Sequence, residues 1–530
     1  IGEPPSVAVA GRYALAAVNT SESFVDPSGS LQVIDIVNRE IARTIDLGGQ
    51  PDAVAISPDG QYAAIAIENE RDEEICVGGE FGGMPVPEDD DAAIEKCEAG
   101  GGVVGGLPQL PAGFLVTMDS SGAVESWAAS TIELAGLADY APSDPEPEFV
   151  DINADNVAAV SLQENNHLIL VDVETGEVTG DFPADSVDLA QIDVVEDELI
   201  DLSGSLDDLP REPDGLTWMG TDLIATADEG DLFGGGRGFT VYDDQGQVLY
   251  AAGNEVEHAA VRVGHYPEDR SENTGNEPEN VEYARFGDRE VLFVGSERAG
   301  SVYVYELRYG QTRLVQILPT GVEPEGLKAI PQRGLFVAAS EEDDRNDKFR
   351  ASLSIYHLQH GGSDYPTIAS ANRADGTPIP WGALDRRGMG QFAYTIHDSF
   401  YRKSRIYSLN LSSTPALING EIVLHDTEGA LAAVDADLVN DDDTVNLDPE
   451  GIAVASDRSF WLVSEGSGSA ANPDRPIESP NLLVNVARDG RIEQVVTLPQ
   501  ALDARQRRFG FEGVTVAPGP EGEQVYVAFQ

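Results

Sequence analysis

A short motif, in which proline is followed by a carboxylate and then by an aliphatic or β-branched run, recurs along this chain of 530 residues. The acids of its copies are Asp52, Glu148, Asp214, Glu279, Glu325, Glu450 and, in a copy that lacks the proline, Glu512. A turn-fixing proline ahead of an alternating apolar run marks the start of a β-strand. Recurrence at intervals of about 40 to 60 residues is typical of stacked supersecondary units. The residues of this motif that could do chemistry are therefore carboxylates, repeated at the starts of predicted strands.

Short strands, separated by turns rich in glycine and proline, surround the motif. Residues 148–184 show them most clearly, as apolar runs at Phe149–Ile152, Val157–Leu162, His167–Val173 and Val178–Phe182. Repeated groups of four short strands with little helical periodicity predict an all-β fold, a β-propeller of four-stranded antiparallel blades. We expect roughly seven to eight or more blades, in one ring or two, because ring closure removes exposed sheet edges.

Propeller geometry gives the motif a chemical meaning. In each blade the first strand starts, and the second strand ends, at the same face, so both sets of side chains should meet at one channel mouth. Carboxylate oxygens in such a ring favour Ca²⁺ over Zn²⁺ or copper, and we predict Ca²⁺ as the cofactor. Each acid could instead accept backbone N–H bonds and fix its own turn. The predicted metal ligands are Asp52, Glu148, Asp214, Asp228, Glu229, Asp231, Glu279, Glu325, Glu341, Glu450, Glu465 and Glu512.

Four residues are predicted to take part in catalysis. His397, beside Asp398 at the end of a second strand, has the side chain of a general base. Glu325 and Glu450 are the predicted catalytic carboxylates of the motif.

Basic residues are scarce, and those near the ends of second strands could bind a phosphate or carboxylate group. Ordinary salt bridges would explain them equally well in so acidic a chain. The predicted substrate-binding residues are Arg298, Arg345, Lys348 and Arg402.

Other catalytic signatures do not occur in the sequence. It contains neither the Gly-x-Ser-x-Gly elbow of serine hydrolases nor the His-Glu-x-x-His signature of zinc peptidases. The glycine-rich run Leu232–Gly238 looks like a phosphate-binding loop, but it lacks the Lys-Ser/Thr pair and a following helix. We therefore predict a wide hairpin loop there.

The composition is strongly acidic, with 94 Asp and Glu against 32 Lys and Arg and a formal net charge of −62. Such a charge repels polyanions, so we expect neither a nucleic-acid partner nor an anionic membrane. No apolar run reaches the roughly 18 residues of a membrane span, so no membrane insertion is expected either. The charge is expected to form a solvated surface of halophilic character, adapted to salty surroundings in which screening shortens the range of self-repulsion.

The two cysteines, Cys76 and Cys97, lie in one insertion rich in glycine and acids, residues 71–111. Two cysteines alone and close together predict a local disulfide formed in an oxidising compartment, with a pair of free thiols as the alternative. The first residue is Ile1 rather than methionine, as expected for a processed mature form. These features predict an extracellular or periplasmic protein.

Three stretches of the second half resemble a known family. Asp448–Val454, Trp461–Gly466 and Gly510–Val516 are similar to the phytase-like esterase domain of secreted bacterial proteins. The similarity is clearest from about Glu212 onward, and it implies further sequence beyond Gln530.

The first part of the chain resembles a different group, the propeller repeats of surface proteins, at Leu31–Ile36 and Pro51–Gly60. The two resemblances together imply a division of the chain. Propeller blades with the insertion at 71–111 would occupy 1–184, an acidic connector 185–212, and phytase-like blades 213–530. All blades could also form one continuous ring.

Two functional hypotheses follow. The phytase-like resemblance implies a secreted Ca²⁺-dependent hydrolase of phosphate or carboxylic esters, which acts on a small anionic ester. The alternative is a non-catalytic extracellular propeller, a structural or adhesive module with a protein partner and with cations that serve stability. Fold alone does not decide between them.

Overall fold

The computed structural model describes residues 2, 4–87, 90–344, 346, 348–359, 361–388, 392–467, 479–499, 502, 510–520 and 522–529. The chain is gathered into two compact units. Unit 1 comprises Ile1–Ala190, Ser205–Glu257 and Asn273–His360, and unit 2 comprises Gln191–Gly204, His258–Glu272 and Gly361–Gln530. No helix in the described ranges is long and apolar enough to cross a membrane.

The first two sheets of unit 1 differ by an insertion. The first follows chain order, with strands β1 (Val7–Ala10), β2 (Tyr13–Asn19), β3 (Gly29–Asp35) and β4 (Glu40–Asp46). The second begins with β5 (Pro51–Ile56) and β6 (Tyr62–Ile67). The insertion then contributes β7 (Cys76–Val77), α1 (Asp91–Ala99) and β8 (Val103–Val104). The sheet is completed in the order β10-β9-β6-β5 by β9 (Phe114–Asp119) and β10 (Ala129–Glu133).

The remaining sheets follow chain order. The third contains β11 (Pro147–Ile152), β12 (Val157–Leu162), β13 (His167–Asp172) and β14 (Glu177–Pro183). A separate pair consists of β15 (Ser186–Ile192) and β16 (Gly204–Pro210). The fourth contains β17 (Leu216–Trp218), β18 (Leu223–Asp228), β19 (Gly238–Asp243) and β20 (Val248–Ala251), followed by helix α2 (Glu255–Val263). The fifth contains β21 (Val281–Phe286), β22 (Arg289–Ser296), β23 (Ser301–Arg308) and β24 (Gln311–Pro319). The sixth has β25 (Pro324–Ile330), β26 (Leu335–Ser340) and β27 (Ser352–His357).

The sheets of unit 1 pack face to face because their strands alternate inward and outward side chains. Strand β3, for example, buries every second residue between Gly29 and Asp35. Leu15 and Leu31 of the first sheet share a core with Ile65 of the second. The same packing joins the second sheet to the third, the third to the fourth, and the fifth to the sixth.

Unit 2 repeats this architecture with variations. Its first sheet contains β28 (Ile368–Ser370), β29 (Leu384–Gly388), β30 (Phe392–His397), β31 (Arg405–Asn410) and β32 (Ala416–Val423), and β28 pairs parallel with β32. The next contains β33 (Pro449–Val454), β34 (Phe460–Ser464), β35 (Leu482–Val486) and β36 (Ile492–Thr497). The last contains β37 (Phe511–Gly519) and β38 (Gly522–Phe529).

The predicted fold class is confirmed: the chain is almost all β, built from four-stranded antiparallel sheets of the propeller-blade type. The structure also joins Cys76 to Cys97 in the disulfide that their spacing predicts. The acidic connector at 185–212 contains the paired strands β15 and β16, which the polar sequence does not indicate. The compact units divide the chain at other positions than the segments 1–184, 185–212 and 213–530, which stay a prediction.

Phe460 tests the packing of unit 2. Its side chain is 0% exposed, and its ring centroid lies 4.9 Å from that of Tyr394 in an edge-on contact. Phe460→Ala leaves a cavity between two sheets, so we expect it to lower the free energy of unfolding by about 3 to 5 kcal/mol in urea denaturation. Phe392→Ala is the control, because that side chain is 64% exposed and its loss should change the urea midpoint little. Equal midpoints for the two variants would contradict the packing.

Candidate functional site

Five of the seven motif acids lie at a β-bulge in the first strand of a sheet, whereas Asp214 and Glu279 lie just before the strands β17 and β21. The pairing of β5 with β6 slips by one residue between Pro51 and Val54, where Asp52 lies. The same slip occurs at Glu148, Glu325, Glu450 and Glu512. A bulge adds a residue and re-aims its side chain. In these five copies the motif therefore marks a bulge that turns a carboxylate out of the regular alternation.

Within unit 1 the first strands of successive sheets are neighbours, which brings these acids together. Strand β11 lies beside β5 and β17, and β21 lies beside β17 and β25. Three groups of carboxylates in unit 1 have ligand oxygens within 4.8 Å of one another. Two contain acids that follow the motif proline, Asp52, Glu68 and Glu148 in one and Asp214, Glu229 and Glu279 in the other. The third consists of Glu229, Glu277 and Glu297. Glu68 and Glu229 directly follow second strands, as the propeller geometry requires.

Crowding and burial raise the pKa values of these carboxyl groups. Burial, with the nearby charges of Glu279 and Glu70, raises the pKa of Asp52 to about 7. Burial, with the adjacent Glu341, raises the pKa of Glu325 to about 9. The pKa values of Glu148 and Asp214 are also raised well above the ordinary range, first by burial and then by neighbouring acids.

These groups have the character of a hard-cation site. Within the described ranges, no lysine or arginine forms an ion pair with the five motif acids of unit 1, Asp52, Glu148, Asp214, Glu279 and Glu325. Several like charges at ligand distance without a protein counter-charge are stable only when protonated or when a cation is bound. Their donor set, all oxygen, fits Ca²⁺.

The insertion supplies a counter-charge to a neighbouring set of acids. Arg71 is 4% exposed on its side chain, and its Nη1 donates a hydrogen bond of 2.6 Å to Glu164. It also pairs with Asp231 and lies 3.6 Å from Glu146. Burial raises the pKa of Glu146 to about 10, with Glu164 as the next cause. The single positive charge of Arg71 therefore faces three carboxyl groups, those of Glu146, Glu164 and Asp231.

The acid that precedes the proline in several copies has a structural role. Glu212 is 0% exposed, and its carboxylate accepts N–H bonds from Asp231 at 3.0 Å, Phe233 at 2.9 Å and Gly235 at 3.2 Å. The glycine-rich loop that looks like a phosphate cradle is thus wrapped around this carboxylate. Glu277 pairs in turn with Arg298 at 2.5 Å.

Some predicted metal ligands of unit 1 have protein partners instead. Asp228 is buried and accepts hydrogen bonds from Thr226 at 2.7 Å and Thr240 at 2.5 Å, so it stays apart from the neighbouring Glu229. Burial raises its pKa to about 6. Asp231 belongs to the Arg71 network rather than to the carboxylate groups.

The predicted substrate-binding residues are mostly engaged in ion pairs. Arg298 pairs with Glu277, Glu297 and Glu323 at distances of 2.5 to 3.2 Å. Arg402 pairs with Asp197 at 3.1 Å. Lys348 is exposed, and Arg345 lies outside the described residues.

Unit 2 holds its own group of motif acids. Ligand oxygens of Asp398, Asp448 and Glu450 lie within 4.8 Å of one another. Burial, followed by the charges of Asp448 and Asp398, raises the pKa of Glu450 to about 7. Glu465 and Glu512 are near enough to raise it further, and the Gly510 N–H donates to Glu465 at 2.6 Å.

His397 does not have the surroundings of a general base. The ring is 1% exposed, Nε2 accepts the backbone N–H of Arg405 at 3.1 Å, and Nδ1 lies 2.8 Å from the Asp398 carbonyl oxygen. Burial lowers its pKa. Both ring nitrogens are held by the backbone, so the imidazole is neutral and structural, and these surroundings do not support the catalytic role predicted for His397.

Sequence reasoning missed the residues that support these groups. Asp448 and Glu212 each precede a motif proline. The repetition of an acid at that position could have identified both residues from the sequence. Arg71 had none, because its partners Glu164 and Asp231 are 93 and 160 positions away.

Two protein families match parts of the chain. Residues 380–530 match the family described as "Esterase-like activity of phytase". Residues 122–234 and 232–309 match the "Choice-of-anchor I domain". The predicted phytase-like resemblance is confirmed, over a shorter stretch than the one expected from Glu212. No curated protein matches the chain.

Solved structures similar to the chain are propellers and enzymes of low sequence identity. They include the Cps50 (Swd1) β-propeller domain of Myceliophteria thermophila, at 11% identity and TM-score 0.39, covering 67% of this chain and 84% of that one. Hydrazine synthase of Kuenenia stuttgartiensis has 17% identity and TM-score 0.37, with coverage of 67% and 84%. A putative 6-phosphogluconolactonase of Bacteroides uniformis has 10% identity and TM-score 0.37, with coverage of 77% and 97%. Likeness at this level says nothing about function.

Removal of Arg71 tests the buried network. Arg71→Ala leaves Glu146 and Glu164 without their cation, so we expect a loss of about 3 to 5 kcal/mol of stability at neutral pH. Urea denaturation measures the loss, and adding Glu164→Gln to the variant should restore part of it. Arg350→Ala is the control, because that side chain pairs with Asp343 on the surface. An Arg71 variant as stable as the control would contradict the network.

The raised pKa values predict how stability without added metal depends on pH. Unfolded carboxyl groups titrate near 4, whereas Asp52 and Glu325 titrate at about 7 and about 9 in the fold. A raised pKa stabilises the fold fully below the unfolded value, and that stabilisation is lost as the pH rises through the folded value. In chelator, the melting temperature should therefore fall from about pH 5 to about pH 9. Glu325→Gln should flatten the fall, and a melting temperature that rises over this range would overturn the assignment.

Proposed function

We propose that the chain is a Ca²⁺-dependent hydrolase of phosphate or carboxylic esters, with its site at Asp398, Asp448 and Glu450. The observation that carries the proposal is the coincidence of two features. These acids place their ligand oxygens within 4.8 Å of one another, and they lie inside the residues that match the phytase esterase-like domain. Their substrate would be a small anionic ester.

The residues at this site fit a hard cation. All three offer carboxylate oxygens, and in the described part of unit 2 no lysine or arginine pairs with them. Bound there, Ca²⁺ would polarise a phosphoryl or carbonyl oxygen and make a coordinated water more acidic. It would also let an anionic ester approach a protein whose formal charge is −62.

The protein's own groups divide the work. Asp398 accepts a hydrogen bond of 2.6 Å from the Ser399 N–H, and burial raises the pKa of Asp448. Both carboxylates are suited to ligate a cation. Burial and the charges of Asp448 and Asp398 raise the pKa of Glu450 to about 7 when no cation is bound, and we assign Glu450 as the general base of the site. Glu465 and Glu512 keep the surroundings anionic.

The proposal places the protein outside the cytoplasm, secreted or at the surface of a bacterial cell. The Cys76–Cys97 disulfide requires an oxidising compartment, and the choice-of-anchor I match is consistent with a surface location. The acidic, halophilic surface suits extracellular salt.

A second candidate function is a non-catalytic extracellular module that binds another protein. The choice-of-anchor I match over residues 122–309 favours it. In that case the carboxylate groups would bind cations only for stability, and ester turnover would be absent with or without Ca²⁺.

Substitution at the site separates the two functions. Glu450→Gln removes the proton acceptor and should lower kcat/KM for p-nitrophenyl esters or phosphomonoesters at least about 100-fold, with the fold intact by circular dichroism. Asp441→Asn, an exposed acid of unit 2, is the matched control and should leave turnover unchanged. Chelator should abolish turnover of the wild type. Turnover equal in the Glu450 variant and the control would refute the hydrolase site, and no turnover in any sample would favour the module.

A further inference from the structure

Unit 1 carries carboxylates that the proposed hydrolase site does not use. Asp52, Glu68 and Glu148 form one group, and Asp214, Glu229 and Glu279 form another, each with ligand oxygens within 4.8 Å. An acidic cluster alone does not make a site, because exposed acids often gather in water without an ion.

Two members of these groups are buried and lack a protein donor. Glu68 is 8% exposed and Asp214 is 9% exposed. Within the described ranges neither carboxylate accepts a hydrogen bond from an N–H group or a hydroxyl, and the group that each one faces is another carboxylate. Buried polar groups in proteins are almost always partnered. A carboxylate that is nine-tenths buried and faces only like charges therefore points to a ligand that carries positive charge.

Each group also connects neighbouring sheets. Asp52 and Glu68 belong to β5 and to the end of β6 in the second sheet, and Glu148 belongs to β11 in the third. Asp214 and Glu229 flank β17 and β18 in the fourth sheet, whereas Glu279 lies two residues before β21 of the fifth. A cation held in either group would bind two sheets through their innermost strands.

We propose that unit 1 contains two divalent-cation sites, one at Asp52, Glu68 and Glu148 and one at Asp214, Glu229 and Glu279, whose cations join adjacent sheets. The cation is a hard one such as Ca²⁺, because every ligand is a carboxylate oxygen, and water completes the usual six to eight ligands. A divalent ion reduces the three negative charges of either group to one. The sites are structural and do not depend on the hydrolase proposal.

Direct counting of bound Ca²⁺ is the first test. The full chain is loaded with Ca²⁺, freed of excess by gel filtration and analysed by mass spectrometry for metal content, with Asp448→Asn present throughout to weaken binding of any ion at the unit 2 site. We expect Glu68→Gln and Asp214→Asn each to lose one ion, with affinity lowered at least about tenfold in calorimetric titration. Glu174→Gln, an exposed acid of unit 1, is the matched control and should lose none.

Thermal stability is the second test, and it remains informative if a variant binds Ca²⁺ weakly. In chelator, Glu68→Gln relieves repulsion, so its melting temperature should exceed that of the wild type. In saturating Ca²⁺ the order should reverse, because the wild type gains the stabilisation of a bound ion. An equal number of bound ions in wild type and variants, or an unchanged order of melting temperatures, would overturn the two sites. Loss of ester turnover in Glu450→Gln with these results intact would concern only the hydrolase.

Discussion

Repulsion between carboxylates at neighbouring strand starts is the constraint on which the rest of unit 1 depends. Face-to-face packing of the sheets places the first strands side by side, and each brings a motif acid, on a bulge in β5, β11 and β25 and just before β17 and β21. Apolar burial stabilises this arrangement, whereas the shared charge opposes it. The pKa values of Asp52 and Glu68 are both raised, first by burial and then by the charges of neighbouring acids. The architecture is therefore complete only with protons or cations at these oxygens.

The motif divides its acidic positions between two roles. The acid after the proline lies on the bulge and faces other acids, as Glu148 does. In two copies the acid before the proline has protein donors: Glu212 accepts three backbone N–H groups and Glu277 pairs with Arg298. The turn-fixing role expected for the motif acids is thus taken by the preceding acid in the Glu212 copy, whereas Asp448, at the same position of its copy, belongs to the unit 2 carboxylate group. In these copies two acids that flank one proline therefore have different partners.

The local sequence pattern predicts most of the fold and part of the candidate sites. Alternating apolar runs such as Val157–Leu162 predict strands because sheet packing requires that period, and the repeat predicts blades. The meeting of Asp214 with Glu279 follows from blade geometry alone. Side-chain partners were beyond reach, because Arg71 finds Glu164 only through tertiary structure.

The surroundings of a single side chain were equally hidden from sequence. His397 has the residue type and the neighbour of a general base, and only coordinates reveal that backbone groups hold both of its nitrogens. The parallel pairing of β28 with β32 is similar, since a three-residue strand leaves no periodic signal.

The Glu212 carboxylate occupies the position in the glycine-rich loop at which a bound anion would be expected. A glycine-rich loop that exposes successive backbone N–H groups commonly binds a nucleotide phosphate or another anion. Here the Glu212 side chain already accepts those N–H bonds. A phosphate from solution would have to displace a carboxylate that belongs to the same polypeptide and cannot dissociate from it. The loop is thereby a self-liganded nest, closed to outside anions, and its glycines serve the folding of the chain rather than recognition.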